Sequence, residues 1–97
     1  MEKDRPLNWA LAKAIKEIRE AKGLTQGQLA GFTGLSEAYL SRVECGEKGA
    51  SLDVLTRLAE ALKIKPSEIM RRIEDVLEQG PPEPPRKQGR PKKIAAQ

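Results

Sequence analysis

Apolar residues recur at helical spacing in five stretches of the chain, and short polar or glycine-containing connections separate these stretches. Leu11, Ile15 and Ile18 share one face of a helix predicted over 8–21, because residues three or four apart lie on the same side. The same spacing predicts helices over 26–33, from Ser36 to about 44, after Ser51, and from Pro66. In the helix after Ser51 the continuous apolar stripe is predicted to consist of Leu52, Leu55, Leu58, Ala59 and Leu62. No stretch shows the alternation that is typical of a half-buried strand. The pattern therefore predicts an all-α fold of five helices.

Capping residues sharpen the bounds of the second and third helices. Thr25 is followed three residues later by Gln28, which is the spacing of a capping box. Ser36 is a candidate N-cap for the third helix. Between the two helices, Gly34 permits a sharp turn. The sequence thus predicts two short helices joined by a turn of three to four residues, and the second of them is the right size for a DNA major groove.

Length and composition narrow the class of protein. The chain has 97 residues, of which 38% are hydrophobic, 3% aromatic and 33% charged, as expected of one small helix-rich domain. It lacks both an apolar run long enough for a membrane span and a secretory signal, so we expect a cytoplasmic protein without membrane contact. Cys45 is the only cysteine and there is no histidine, which disfavours disulfide scaffolds, Cys-His catalysis and most zinc sites. We therefore expect neither an enzyme nor a cofactor.

The net charge of +4 is concentrated at one end. Residues 1–78 contain 13 basic and 13 acidic residues, whereas 79–97 contain five basic residues, one acidic residue and five of the seven prolines. Such a segment cannot bury enough apolar surface to order itself. The composition predicts a folded domain over 7–78 and a disordered, Pro-rich basic tail over 79–97.

The central stretch IKEIREAKGLTQGQLAGFTGLSEAYLSRVECGEKGASLDVLTRLAEALKI resembles the phage-repressor and Cro-like helix-turn-helix family, also called the XRE family. The markers are IRE before KGLTQ, then LA, GLS, LSRVE and the trailing LAEAL. This resemblance implies a lambda-repressor-like five-helix domain. It also implies a sequence-specific DNA-binding transcriptional regulator, in the first instance a repressor, that binds double-stranded DNA.

The resemblance assigns roles to individual residues. Gln26 matches a glutamine that contacts phosphate and often braces the recognition helix, although a plain capping role is the alternative. Arg42 matches a position that faces DNA, where its guanidinium can bond guanine O6 and N7 together; a solvated surface charge is the alternative. Arg19 and Glu44 match a buried structural ion pair. The positions assigned to DNA contact within the domain are Thr25, Gln26, Ser36, Glu37, Ala38, Tyr39, Ser41, Arg42 and Lys48.

Several residues depart from the family pattern, among them Glu37, Ala38 and Phe32. Glu37 places a carboxylate at the front of the third helix, where it either accepts a hydrogen bond from cytosine N4 or repels phosphate. Ala38 offers only an apolar contact, for instance to a thymine methyl group. Phe32 lies at a position that is usually polar, so it is either an interface residue or a local packing variation.

The tail contains a second candidate for DNA contact. The segment 88–93 has a Gly-Arg-Pro core that resembles an AT-hook, which lies extended in the minor groove of A·T-rich DNA. The match is partial, because Gln88 stands where an arginine is usual. Nonspecific attraction to phosphate and a solubilising role are the alternatives. The tail residues assigned to DNA are Arg90, Lys92 and Lys93.

Partners form the last set of expectations. Family members usually bind DNA as homodimers, often through the last helix, and here Ile69, Met70, Ile73 and Leu77 are predicted at that interface. The alternative is that these residues close the core of a monomer. A second function remains open: an antitoxin or adaptor of the same fold, which would bind a protein partner through the tail or the surface around Phe32.

Overall fold

The computed structural model describes residues 6–80, and within that range five α-helices follow one another without a strand. The helices are α1 Pro6–Ala21, α2 Gln26–Thr33, α3 Glu37–Glu44, α4 Leu52–Leu62 and α5 Pro66–Gln79. The predicted all-α class is thereby confirmed. α1 begins slightly earlier than predicted, and α5 continues one residue past the expected boundary at 78. None of the five helices is both long and apolar enough to cross a membrane.

Side-chain hydrogen bonds fix the starts of the helices. The hydroxyl of Thr25 accepts the backbone N–H of Gln28 at 3.0 Å, while the side-chain oxygen of Gln28 accepts the N–H of Thr25 at 2.9 Å. Ser36 and Ser51 each accept an N–H from the first turn of their helix, at 3.0 and 3.1 Å. Pro66 occupies the first turn of α5, where its missing N–H has no intrahelical partner to lose. The sequence predicted each of these starts from residue type alone.

The core lies where α1 packs against α3 and α5, with α2 and α5 covering α4. Each helix contributes one apolar stripe to it, and burying such a side chain stabilises the fold by about 1.5–3 kcal/mol. The largest contributors are Leu11, Ile15, Ile18, Leu29, Leu40, Val43, Leu55, Leu58, Leu62, Ile69, Ile73 and Val76.

The apolar residues of α5 divide into two groups. Ile69 and Ile73 are buried within one chain, as is Val76. Their burial removes Ile69 and Ile73 from the predicted dimer interface, because side chains already covered by α1 and α4 present no surface to a partner. Met70 and Leu77, which lie on the flank of the same stripe, remain 42% and 39% exposed. Only these two of the predicted interface residues are accessible.

Leu52 also differs from the prediction. It begins the apolar stripe of α4 in the sequence, yet its side chain is 78% exposed. Leu55, one turn later, is buried. Leu52 is the first residue of α4, so it lies at the projecting end of the helix, beyond the cover that the neighbouring helices give to Leu55.

Candidate nucleic-acid interface

The turn between α2 and α3 is held by a small set of local hydrogen bonds. Gly34 ends α2 in the left-handed region, with φ of 79°, and its N–H donates to the carbonyl of Ala30 at 3.0 Å. The hydroxyl of Thr33 donates to the same carbonyl at 2.9 Å and accepts the N–H of Leu35 at 3.1 Å. A residue with a Cβ is strained at the φ of Gly34. The two helices are therefore joined by a short turn with its own hydrogen bonds.

α3 has a buried side and an exposed side. Leu40 and Val43 are completely buried and anchor the helix to the core. Ser36, Ala38 and Arg42 are exposed on the other side, as is Glu37, while Tyr39 and Ser41 are half-buried. The N-cap hydrogen bond uses the Ser36 oxygen as acceptor, so its O–H is still able to donate outward. The predicted contact residues of α3 thus form one accessible surface, which we call the α3 face: Ser36, Glu37, Ala38, Ser41 and Arg42.

A buried carboxylate connects α3 to the two preceding helices. Arg19 of α1 binds Glu44 of α3 in two places, Nε to Oε2 at 2.8 Å and Nη2 to Oε1 at 3.0 Å. Gln26 of α2 donates its amide to Glu44 Oε1 at 2.9 Å. Arg19 also donates from Nη1 to the carbonyl of Leu24 at 2.7 Å. The structure therefore brings Arg19, Gln26 and Glu44 together at one point.

Burial makes this network stiff. The side chain of Glu44 is 2% exposed and that of Arg19 is 10% exposed, so each charge depends on the other for its solvation. The hydrogen bond to Glu44 raises the pKa of Arg19 above its ordinary value, and the negative charges of Glu44 and Glu20 act in the same direction against desolvation. Arg19 stays charged at any physiological pH. The C-terminal end of α3 is consequently fixed relative to α1 and to the start of α2.

Two residues that were predicted to contact DNA, Thr25 and Gln26, lie beside this network at the start of α2. The Thr25 hydroxyl serves the capping box, and Thr25 itself is exposed. Gln26 is half-buried, with its amide nitrogen on Glu44. Both lie at the N-terminus of α2, where uncompensated backbone N–H groups attract anions. The sequence resemblance implied a role for Gln26 at DNA, and the structure adds that its orientation depends on Glu44.

The loop after α3 brings Lys48 close to Tyr39. The ammonium of Lys48 lies 5.8 Å from the centroid of the Tyr39 ring, within the range of a weak cation–π interaction. The phenol O–H donates to the carbonyl of Gly49 at 3.4 Å. Lys48 is exposed and stands beside the N-terminal half of α3. Tyr39 therefore supports the loop and keeps a cation next to the α3 face.

Glu37 has a neighbour that the sequence did not reveal. A Cβ built on Gly27 would lie 3.4 Å from one carboxylate oxygen of Glu37 and 3.5 Å from the other. The carboxylate of α3 is thus packed against the backbone of the first turn of α2. Negative charge is favourable at that end of a helix. The same negative charge opposes a DNA phosphate that approaches Gln26.

The remaining predicted site residues cannot be placed in the same way. Arg90, Lys92 and Lys93 lie outside the described residues. No group of three or more acidic, cysteine or histidine side chains within 6–80 is arranged to hold a metal ion.

The sequence matches a known protein family and two repressors. Residues 15–69 match the helix-turn-helix family. The chain is 39% identical over 56 residues to the HTH-type transcriptional repressor RghR of Bacillus subtilis, a match covering 57% of this chain and 42% of that protein. It is 33% identical over 70 residues to the competence pilus inhibition repressor of Acinetobacter baylyi, covering 72% and 64% of the two chains. The chain spans less than two thirds of the length of either repressor.

A solved structure shares the fold. The restriction-modification controller protein C.AhdI from Aeromonas hydrophila superposes with a TM-score of 0.62 and 39% identity, over 64% of this chain and 94% of that chain. The matched family consists of transcription regulators and not of enzymes, in agreement with the sequence prediction. Residues 15–69 include the whole of α2, its turn and α3, and amount to more than half of the chain. The chain therefore belongs to the helix-turn-helix family.

Proposed function

We propose that this protein is a sequence-specific DNA-binding transcriptional regulator that represses by occupying promoter DNA in the cytoplasm. The observation that carries the proposal is the construction of α3. Leu40 and Val43 bury one side of the helix, Glu44 fixes its end, and the α3 face is left open to a major groove. Selection from a library of random duplexes tests the proposal. Enrichment of one sequence supports it, and recovery of no preferred sequence contradicts it.

Base contacts follow from the chemistry of the α3 face. The Arg42 guanidinium bonds guanine through O6 and N7, which makes it the main determinant of sequence. The methyl group of Ala38 packs on a thymine methyl group. Glu37 accepts a hydrogen bond from cytosine N4, for which its carboxylate must leave Gly27. Ser36 and Ser41 donate their hydroxyl groups to base edges or to phosphate.

Phosphate contacts flank the base contacts on both sides. Thr25 and Gln26 hold one phosphate at the start of α2, supported by the backbone N–H groups there. Lys48, beside Tyr39, holds another phosphate on the far side of α3. These contacts set the register of α3 on the duplex and carry no sequence information themselves.

The basic tail supplies further, sequence-independent affinity. Residues 1–78 are neutral overall, so the tail carries the whole excess of positive charge. In the full chain, replacing Arg90, Lys92 and Lys93 with glutamine should reduce the slope of log K against log salt by about 2 to 3, because each phosphate contact contributes about 0.9. Lys63→Gln, at the end of α4, serves as the control. An unchanged slope in the triple variant would remove the tail from the interface.

The regulator acts as a homodimer on two related half-sites. Of the predicted interface residues, Met70 and Leu77 remain exposed on α5 and supply apolar surface for a second copy. A two-fold dimer places its two α3 helices in major grooves about 34–36 Å apart, one turn of the duplex. The selected DNA should then show two-fold related half-sites.

A protein partner is the second candidate function, and Phe32 favours it. The Phe32 side chain is 65% exposed on α2, and it borders an open hollow of about 490 Å³ with Glu60, Ala61 and Lys63. Aromatic residues, phenylalanine among them, are enriched at protein interfaces relative to the rest of the surface. An antitoxin or adaptor would use this surface or the tail. If the library selection recovers no DNA, this function takes precedence.

A further inference from the structure

The side chain of Thr33 connects the end of α2 to the start of α3. Thr33 is the last residue of α2 and is 8% exposed. Its hydroxyl donates to the carbonyl of Ala30 at 2.9 Å and accepts the N–H of Leu35 at 3.1 Å. Within residues 6–80, no backbone carbonyl accepts that N–H. One buried hydroxyl therefore links the last turn of α2 to the residue that leads into α3.

The two hydrogen bonds of this hydroxyl are not equally replaceable. The carbonyl of Ala30 also accepts the N–H of Gly34 at 3.0 Å, so it keeps a partner when the hydroxyl is removed. The N–H of Leu35 loses its partner in that case. Both bonds are directional, and together they fix the Ala30 carbonyl and the Leu35 N–H relative to each other. The path of the backbone from α2 into α3 consequently depends on Thr33.

The C-terminal end of α3 is held by a separate set of directional bonds. The Glu44 carboxylate binds the Arg19 guanidinium at 2.8 and 3.0 Å and accepts the Gln26 amide at 2.9 Å. These bonds lie one helix length away from the turn. They fix the end of α3 and leave its angle open at the other end.

The N-terminal end of α3 carries three of the five residues of the α3 face, and it has weaker restraints. Ser36, Glu37 and Ala38 are exposed there. Leu35 and Tyr39 are partly buried and pack against the core, which opposes a rotation less sharply than a directional bond does. The Thr33 hydroxyl is thus the directional restraint at the end of α3 that would enter the groove.

We infer that Thr33 is a positioning residue for DNA recognition, whose hydroxyl sets the angle at which the N-terminal half of α3 meets the bases. The inference rests on the proposed function and deepens it. The eight residues of α3 span about 12 Å, so a rotation of about 5° about the end held by Glu44 moves the other end by roughly 1 Å. Such a shift stretches a hydrogen bond of about 2.9 Å beyond the usual limit of about 3.2 Å.

The loss should be confined to base contacts. Thr25 and Gln26 lie at the opposite end of α2 from Thr33, and Lys48 lies in the loop after α3. The phosphate contacts proposed for these residues do not pass through the turn. Removing the Thr33 hydroxyl should therefore reduce sequence preference and leave sequence-independent affinity in place.

Fluorescence anisotropy with the selected and a scrambled duplex, at one salt concentration, tests this consequence. Thr33→Val keeps the size and shape of the side chain but has no hydroxyl. It should weaken binding to the selected duplex about tenfold, the size of one lost base contact, and binding to the scrambled duplex less than about twofold. Thr33→Ser keeps the hydroxyl and should retain the ratio of the two affinities within about twofold.

Two matched variants separate positioning from stability. The Thr56 hydroxyl, on α4, also donates to the carbonyl three residues earlier, at 2.8 Å, so Thr56→Val removes the same kind of bond away from the turn and should change neither affinity. Thr33→Val should also lower the unfolding temperature, by about 4–8 °C. Ile69→Val, in the core on α5, should give a loss of similar size while the ratio of affinities stays unchanged.

Residual dipolar couplings of the α3 amides, measured without DNA, test the angle itself. We expect α3 to turn by about 5° relative to α1 in Thr33→Val, and to keep its orientation in Thr33→Ser and Thr56→Val. An unchanged orientation in Thr33→Val would overturn the inference, as would a Thr33→Val chain that keeps its full preference for the selected duplex. If α3 turns in Thr33→Val but the unmodified chain prefers no sequence, Thr33 still positions α3 and the proposed function is wrong.

Discussion

The α3 face and a groove rimmed by Leu7, Leu52 and Met70 are two exposed surfaces of one small domain, and they are built in opposite ways. The α3 face presents polar and charged groups, and a buried carboxylate, Glu44, fixes its helix. The groove presents aliphatic groups over a floor that includes Leu55 and Ile73, and none of the described residues that line it is charged. The first surface is held by directional hydrogen bonds, and the second by nondirectional packing.

This difference teaches how the two tasks of a small regulator can be separated. Reading bases requires donors and acceptors held at a defined angle, which the Arg19–Glu44–Gln26 network supplies. Joining two copies requires apolar area, for which direction matters less than fit. A substitution on one surface should therefore weaken either DNA binding or dimer formation and leave the other unchanged. Three predictions concern the α3 face and its supporting network, from the largest expected effect to the smallest.

Removing the buried carboxylate should have the largest effect. Glu44→Ala leaves the buried Arg19 guanidinium with the Leu24 carbonyl at 2.7 Å and the exposed Glu20 carboxylate at 3.9 Å, and it also frees Gln26. We expect a loss of about 3–5 kcal/mol in the free energy of unfolding, measured by urea denaturation. Because the pKa of Arg19 is raised in the folded state, the stabilisation that comes from its protonated form is present below the ordinary arginine pKa and is lost only when the pH rises through the raised value, in strong alkali.

An exposed ion pair provides the control for this prediction. Lys13 and Glu17 lie 2.9 Å apart on α1, with their side chains 40% and 44% exposed. Lys13→Ala should change the free energy of unfolding by no more than about 0.5 kcal/mol, because water screens the pair. Equal losses in Lys13→Ala and Glu44→Ala would contradict the importance assigned to the buried network.

The second prediction concerns Arg42, the residue of the α3 face that is proposed to contact a guanine. Arg42→Ala should weaken binding to the selected duplex by about 1–3 kcal/mol while leaving the thermal unfolding temperature unchanged, since Arg42 is exposed. Fluorescence anisotropy with the selected and a scrambled duplex measures the effect. A loss of the same size on both duplexes would assign Arg42 to phosphate and not to a base.

The smallest effect should come from Glu37. Its carboxylate lies against Gly27 at the start of α2 and repels phosphate there. Glu37→Gln should strengthen binding to scrambled DNA by about threefold, or roughly 0.6 kcal/mol, and so reduce the preference for the selected sequence. Glu47→Gln, an exposed acidic residue beyond the end of α3, should have less effect. If both variants gain equally, only net charge matters and the position of Glu37 has no special role.

Much of the fold was predictable from the sequence because its signals are local. Helix starts follow from Thr25, Ser36 and Ser51, whose side chains cap the N–H groups of their own helices. The turn follows from Gly34, whose positive φ few other residues tolerate. The outward positions of α3 follow from the burial of Leu40 and Val43 on the other side.

The errors and omissions concern contacts between helices. The apolar periodicity placed Leu52 in the core stripe of α4, but its side chain is exposed. Leu52 is the first residue of α4, and whether neighbouring helices cover a helix end depends on their packing. Ile69 and Ile73 were predicted at a dimer interface, but they are buried where α5 packs against α1 and α4. The sequence does not show how α5 packs, so it could not reveal this burial. The bond from Gln26 to Glu44 joins residues 18 positions apart. The family resemblance implied that Gln26 braces the recognition helix, but no local pattern in the sequence identifies Glu44 as its partner.

Methylation interference on the selected duplex tests most directly the claim that α3 contacts bases in the major groove. Methylation of guanine N7 blocks the acceptor that the Arg42 guanidinium would use. The account predicts that one methylated guanine in each half-site abolishes binding of the unmodified chain. Binding of Arg42→Ala should be unaffected by methylation at the same guanines. Two results would contradict the central claim that α3 carries Arg42 into the major groove. One is that methylation at every guanine leaves binding of the unmodified chain intact, and the other is that Arg42→Ala shows the same interference pattern.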